Sequence, residues 1–145
     1  MKRKAVILIV LFSLIVYSSP RSGDDNNKRN NTELIEQLIP IITSILQGKG
    51  IAEFKDNISP EAYVINNNTY ESIFEVLGNQ SKKEMFIEEK EIRVGFVRLW
   101  LPDNLKEAYM VLETKSADNT KTSWHTILFK NSENNKWQII SWHKS

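Results

Sequence analysis

The chain ends in Trp137–Ser145, with the sequence WQIISWHKS, and this stretch together with Ser123–Lys130 decides the fold. Both segments are rich in the aromatic and β-branched residues that favour strands. Between them lies Glu133–Asn135, a Glu-Asn-Asn sequence of the kind found in tight turns. The two segments are therefore predicted to pair as an antiparallel hairpin that closes the chain.

Two more long strands precede this hairpin, and turn-forming sequences separate them. The predicted strands cover Glu89–Leu101, Glu107–Lys115, Thr122–Lys130 and Trp137–Lys144. A shorter strand is predicted at Ala62–Ile65, well before the others.

The first half of the chain has the periodicity of helices. A first helix is predicted to begin at the N-cap Thr32 and to run to Leu46, with a kink at Pro40. Shorter helices are predicted over residues 51–58 and 69–78. Helices followed by a long antiparallel sheet predict an α+β domain.

The N-terminus has the layout of a secretory signal. Lys2–Lys4 is basic, and the apolar run over residues 5–17 is interrupted only by Ser13. This run is shorter than the roughly 20 residues that a membrane span needs. Residues 1–18 are therefore predicted to be a signal peptide cut after Ser18, with an uncleaved membrane anchor as the alternative. The protein is accordingly expected to be secreted or periplasmic, or held at a membrane by its N-terminus.

The next stretch is polar and cannot bury apolar surface, so residues 19–31 are predicted to be a disordered spacer before a single domain at 32–145. Without the leader, the formal net charge falls from +1 to −2. This near-neutral balance argues against nucleic-acid binding, which needs a clustered basic surface. The chain has no cysteine, which excludes disulfides, thiol catalysis and cysteine-based zinc sites.

Four segments carry a resemblance to a known superfamily: Ile45–Phe54, Ile58–Ile65, Ser123–Phe129 and Trp137–Ser145. They resemble the opening and closing segments of the SnoaL-like and nuclear transport factor 2-like proteins, and also the association domain of calcium/calmodulin-dependent kinase II. The resemblance implies a cone-shaped α+β fold in which N-terminal helices pack on a curved, mostly antiparallel sheet. That fold hosts isomerases, dehydratases, ligand binders and assembly domains.

The resemblance also indicates which family sites this chain lacks. Asn66 stands where the catalytic aspartate of ketosteroid isomerases falls, and Ile42 where their oxyanion-donating tyrosine falls. Val111 and Ile127 stand near the pocket arginines of the kinase association domain. An amide cannot accept a proton and these aliphatic side chains cannot donate hydrogen bonds, so these departures favour a non-enzymatic role without a cofactor.

One pair on the predicted sheet could carry acid–base chemistry. If the hairpin before the last one turns about Asn119, Glu113 lies opposite His125 on the same face. A carboxylate beside an imidazole fixes the tautomer of the ring and raises its basicity, as a general acid or base requires. The alternatives are a structural hydrogen bond and a polar contact to a ligand. The last hairpin is expected to place Trp142 beside His125.

A small apolar ligand is predicted to bind in a cavity under the helices. Tyr63, Tyr109 and Trp142 are expected to form its walls, and Glu113 and His125 its polar contacts. Ordinary core packing is the alternative for the aromatic residues. The two histidines have no defined spacing, so no metal site is predicted.

Both faces of the predicted sheet carry apolar side chains. Met110 and Leu128 are assigned to the face away from Tyr109, together with Ala108, Leu112 and Trp124. Because helices cover only one face well, a homodimer through the sheet is expected to cover the other.

The function that the sequence favours is an exported, non-enzymatic domain that binds a small apolar ligand or a protein partner. The alternative is a cofactor-independent dehydratase or isomerase that uses Glu113 and His125.

Overall fold

The structure, a computed structural model, describes residues 25–48, 51–66, 68–86, 92–102, 106–132 and 136–145. The predicted signal peptide at 1–18 and the spacer residues 19–24 lie outside the described residues. Within the described part, no helix is both long enough and apolar enough to cross a membrane.

The first helix, α1, runs over Asp25–Leu46 and begins seven residues before the predicted N-cap Thr32. Residues 25–31 are therefore helical, and the predicted disorder there is wrong. Extending an existing helix costs far less than starting one, so a helix anchored by its packed end can continue through a polar stretch. The helix also continues through Pro40 on its exposed side. Proline has no N–H to donate to the carbonyl of Glu36, and this loss is tolerated because Glu36 and Pro40 are both exposed residues.

The middle of the chain differs from its prediction. Two short 3-10 helices, Ile51–Glu53 and Lys55–Asn57, replace the helix predicted over 51–58. Strand β1 then covers Ile58–Asn66, because Ile58 is buried and pairs with the C-terminal strand at Ile139. That partner is some eighty residues away along the chain, so local sequence patterns do not reveal it.

Strand β2, Thr69–Ser72, occupies the start of the predicted third helix. Asn68 has a φ of 66°, the left-handed conformation that asparagine tolerates, and it turns the chain back on β1. Thr69 therefore pairs with Asn66 instead of capping a helix. Helices α2, Ile73–Gly78, and α3, Gln80–Phe86, follow.

Four strands complete the sheet: β3 Ile92–Trp100, β4 Glu107–Ser116, β5 Thr122–Asn131 and β6 Trp137–Lys144. The strand order is β2-β1-β6-β5-β4-β3. Only β1 and β6 pair in parallel, and all other neighbours are antiparallel. The predicted α+β class, with helices on a mostly antiparallel sheet, is confirmed.

The two faces of the sheet differ in how far other parts of the chain cover them. The inner face carries the fully buried side chains of β4 to β6, among them Met110, Ile127 and Trp142. The buried side of α1, including Ile42 and Ile45, shares this core. The outer face carries the alternate residues, and these are partly or largely exposed. Each Å² of apolar surface removed from water contributes about 25 cal/mol of stability, so the inner face is the main source of stability.

The β4–β5 register depends on a four-residue loop, Ala117–Thr120. Lys115 pairs with Thr122, and the amide of Ser116 donates to the carbonyl of Lys121 at 3.0 Å. Asn119 takes the left-handed conformation, with a φ of 58°. The hairpin therefore turns between residues 118 and 119, not about Asn119 itself, and every cross-strand partner moves by one residue.

Asp118 organises this loop. Its Oδ1 accepts hydrogen bonds from the Ser116 hydroxyl at 2.5 Å, the Thr120 amide at 3.0 Å and the Thr120 hydroxyl at 2.7 Å. The Ser116 hydroxyl, followed by the two Thr120 donors, lowers the pKa of Asp118 from 3.8 to about 2. The charged carboxylate is therefore favoured by the folded turn.

Replacing Asp118 with asparagine should destabilise the hairpin in a pH-dependent way. Because the folded pKa is depressed, the stabilisation is complete above 3.8 and is lost as the pH falls to about 2. Urea denaturation of both proteins across this range should show a small gap in unfolding free energy that closes as the pH falls. A gap that is the same at every pH would contradict a role for the charge.

Candidate functional site

The observed register separates the two residues of the predicted acid–base pair. Glu113 lies opposite Trp124, and His125 lies opposite Leu112. Because side chains alternate between faces along a strand, a shift of one residue places Glu113 on the outer face and His125 on the inner face. The predicted Glu113–His125 pair is wrong, and its cause is the even-numbered loop.

His125 belongs to a polar cluster inside the core. The Trp142 indole N–H donates to His125 Nδ1 at 3.1 Å, and Thr114 Oγ1 lies 2.9 Å from His125 Nε2. All three residues are at most 1% exposed. The predicted contact between Trp142 and His125 is confirmed, although Trp142 lies opposite Ile127 and reaches the ring diagonally.

These bonds fix the state of the imidazole. An indole N–H can only donate, so His125 Nδ1 must accept and carries no proton. A neutral ring then has its proton on Nε2, which donates to the Thr114 hydroxyl. Both ring nitrogens are occupied by residues of the same chain, and the ring meets Trp142 edge-on at 5.9 Å between centroids. The arrangement satisfies a buried polar group and leaves no ring nitrogen for proton exchange with a substrate.

Thr114 is the member of this cluster that the sequence did not single out. Thr114 lies two residues after Leu112 on β4, so both side chains are on the inner face. Leu112 is the residue opposite His125. A threonine in an otherwise apolar alternation is the signal that could have found it, because a buried hydroxyl requires a partner.

Glu113 lies in a different environment on the outer face. Its carboxylate is 3.5 Å from the Lys115 ammonium and lies against Gly95 of β3, where a Cβ atom would approach Glu113 Oε2 to within 2.5 Å. Gly95 interrupts the β3–β4 pairing as a bulge between Val94 and Phe96. The missing side chain at Gly95 therefore provides the space that the carboxylate occupies.

The outer face also carries four exposed large apolar side chains, here called the outer patch: Phe96, Trp100, Tyr109 and Trp124. They are between 37% and 44% exposed. The rings of Phe96 and Trp124 lie 5.9 Å apart, although β4 separates their strands, so both lean over Glu113. The Arg98 guanidinium lies 4.4 Å from the centre of the Trp100 ring, in cation–π contact.

The five predicted ligand-binding residues do not form one site. His125 and Trp142 are in the core, whereas Tyr109 and Glu113 are on the outer face. Tyr63 shares the outer face further along the sheet, where it lies opposite Ser141 and its ring is 5.6 Å from that of Tyr70. A single cavity lined by all five is therefore excluded by the register.

The assignment of Met110 and Leu128 to a common face is also wrong. Met110 is fully buried with Ala108 and Leu112, whereas Leu128 is half-buried on the outer face beside Tyr109. In the described part of the chain, no group of three or more histidine, aspartate or glutamate side chains could hold a metal ion.

Comparisons with known proteins find likeness in structure but not in sequence. No protein-family model and no curated protein matches the chain. A putative ketosteroid isomerase from Parabacteroides distasonis is similar in structure, with 16% identity over 76% of this chain and 85% of that one and a TM-score of 0.57. A nuclear transport factor 2-like protein of unknown function from Shewanella oneidensis has 21% identity over 79% and 98%, with a TM-score of 0.53.

The calcium/calmodulin-dependent kinase II hub of S. rosetta matches more loosely, with 11% identity over 88% of this chain and 98% of that one and a TM-score of 0.48. The two matches with TM-scores above 0.5 establish a common fold, and their identities are too low to carry an activity over to this chain. The chain therefore has the α+β cone fold of nuclear transport factor 2-like and ketosteroid isomerase-like proteins, as its closing hairpin implied.

Proposed function

We propose that this protein is a non-enzymatic binding domain that acts through the outer face of its sheet. The observation that carries the proposal is the placement of the exposed large apolar side chains. All four of the outer patch and Tyr70 project from this face. Clustered exposed aromatic residues on a folded domain are typical of interaction surfaces.

The geometry argues against the enzymatic alternative, a dehydratase or isomerase that uses Glu113 and His125. A general base must reach the proton that it abstracts, and His125 is fully buried with both nitrogens bonded. Glu113 is on the opposite face and cannot tune that ring. The pair that motivated the enzymatic reading does not form.

The partner that we propose for the outer face is a second copy of the chain. A sheet with one face covered by helices and the other bearing an aromatic patch can bury that patch against itself in a symmetric dimer. The five longer strands, β1 and β3 to β6, are each about 30 Å long, and at a spacing of about 4.8 Å they present a face of roughly 720 Å². This matches the approximately 800 Å² per partner of a typical stable interface.

Replacing Trp124 with serine should weaken dimerisation at least about tenfold, because buried tryptophan anchors dominate interface energies. The fold should persist, since Trp124 is already 44% exposed. Sedimentation velocity over a concentration series measures the dissociation constant, and circular dichroism checks the fold.

Tyr70→Ser is the matched control for this variant. Tyr70 is an aromatic residue on the same face but lies on the edge strand β2 and is 72% exposed, so its loss should change the dissociation constant little. A wild-type chain that stays monomeric at tens of micromolar would contradict the homodimer.

Export is the remaining part of the proposal. The basic start and short apolar run motivate a signal peptide that is removed after Ser18, and the mature chain should then begin at Ser19. The intact mass of the protein recovered from the periplasm or medium tests this. A mass that retains Lys2–Lys4 in a membrane fraction would support the anchor instead.

A further inference from the structure

The outer face of β3, β4 and β5 is an ordered grid of five rows that run across the strands. The rows are Arg93–Lys115–Thr122, Phe96–Glu113–Trp124, Arg98–Val111–Thr126, Trp100–Tyr109–Leu128 and Glu107–Lys130. The first row carries two cations and no anion. The fifth row pairs one anion with one cation, and the middle row has the aliphatic Val111 at its centre.

A two-fold dimer can place this grid on its copy in two ways. If the axis runs along β4, each row meets the same row of the second copy, so Lys115 faces the second copy's Lys115 and Glu113 faces its Glu113. If the axis runs across the strands at Val111, the first row meets the fifth. Lys115 then faces Glu107 of the second copy, twice in each dimer. Like-charge contacts are costly at an interface, so charge alone favours the second arrangement.

The apolar rows match in the same arrangement. The second row meets the fourth, which sets Phe96 against Trp100 and Trp124 against Leu128 of the second copy. It also sets the Glu113 carboxylate against Tyr109 of the second copy, whose phenol can donate a hydrogen bond to it. Glu113 is held for this contact by the space at Gly95 and by Lys115.

Arg98 lies in the middle row, so the two copies of its Cα approach each other near the axis. Its guanidinium, however, lies over its own Trp100 ring at 4.4 Å, one row away from the axis. By the two-fold symmetry, the guanidinium of the second copy lies one row away on the other side of the axis. The cation–π contacts therefore separate the two like charges.

We propose that two copies of the chain pack their outer faces with β4 antiparallel on β4, centred on Val111, so that Glu107 of each copy pairs with Lys115 of the other. This inference rests on the proposed function, since it specifies how the outer face meets its partner. Glu113 and the second copy's Tyr109 then form a polar contact inside an otherwise aromatic interface.

A charge-swap experiment on the full chain tests the arrangement. Lys115→Glu sets two acidic side chains against each other at both symmetric positions, and Glu107→Lys does the same with two basic ones. Each single variant should raise the dimer dissociation constant about 10- to 100-fold. The double variant Glu107→Lys/Lys115→Glu should dimerise at least about fivefold more tightly than either single variant, because opposite charges face each other again across the interface. It should stay weaker than the wild type, because each copy has lost the ion pair between Lys115 and Glu113.

Lys130→Glu is the matched control. Lys130 lies in the same row as Glu107 but faces the uncharged Thr122 of the second copy, so its reversal should change the dissociation constant less than about threefold. A dimeric wild type whose double variant is not rescued would overturn this register and leave the proposed binding face intact. A monomeric wild type would overturn the register and the homodimer together.

Discussion

Replacing His125 with alanine should lower the free energy of unfolding by about 3–5 kcal/mol. Truncating a large, fully buried side chain leaves a cavity and typically costs about 2–5 kcal/mol. The change also leaves the Trp142 indole N–H and the Thr114 hydroxyl buried without the partner that they have now, at about 1–3 kcal/mol for each unsatisfied group. Partial relaxation around the cavity keeps the total below the sum of these costs.

His143→Ala is the matched control, because His143 is exposed on β6, where it lies opposite Thr126 on the outer face. Its loss should change stability by less than about 0.5 kcal/mol. Urea denaturation followed by circular dichroism measures both. If His125→Ala is as stable as His143→Ala, the buried cluster is not what the structure indicates.

Replacing Met110 with aspartate should unfold the domain or cost at least about 4 kcal/mol. Met110 is fully buried on the inner face, between Ala108 and Leu112 on its strand and opposite Ile127. An unpaired carboxylate in such a site loses its hydration without gaining a partner. That cost is a large fraction of the roughly 5–15 kcal/mol that holds a typical domain together.

Leu128→Asp is the informative comparison, since the sequence assigned Leu128 and Met110 to the same face. Leu128 is half-buried on the outer face, so the same substitution should cost the monomer only about 1 kcal/mol. Denaturation at low protein concentration separates this effect from any loss of dimer. Equal destabilisation by the two substitutions would mean that they share a face after all.

Much of the fold could be predicted from the sequence. The ranges of β4, β5 and β6 follow from alternating and β-branched patterns with turn residues between them, and they agree with the structure to within about one residue. The strong helical spacing from Leu34 to Leu46 likewise located the packed part of α1. Long, regular patterns of this kind predict the type and range of an element without knowledge of its partners in the fold.

The site could not be predicted in the same way, because it depends on register. A strand pattern shows which residues share a face within one strand, but a single residue of loop length decides how two strands are matched. Here the length of the loop between β4 and β5 is set by the left-handed conformation of Asn119 and by the hydrogen bonds to Asp118. The sequence identified Glu113, His125 and Trp142 as notable, yet it could not sort them between the two faces.

The same limit explains the middle of the chain. Ile58 and its neighbours form a strand because β6 lies beside them, and Thr69 pairs because Asn68 reverses the chain. The first outcome depends on a strand some eighty residues away, and the second on the left-handed conformation of Asn68, which the helical spacing of the following residues does not reveal.

The position of β6 between β1 and β5 constrains how the protein can be made. Because β6 joins the β2–β1 pair to the β5–β4–β3 group in the described sheet, these two parts stay separate until β6 is in place. During synthesis, β1 must wait for a partner that emerges some eighty residues later, with Ile58 and its neighbours unpaired in the meantime. Contacts between such distant parts of a chain slow folding and prolong exposure to aggregation. The pairing of β6 with β1, and not the order of the helices, is therefore the event that completes the sheet, and a truncation within β6 would remove the sheet's centre and not merely its edge.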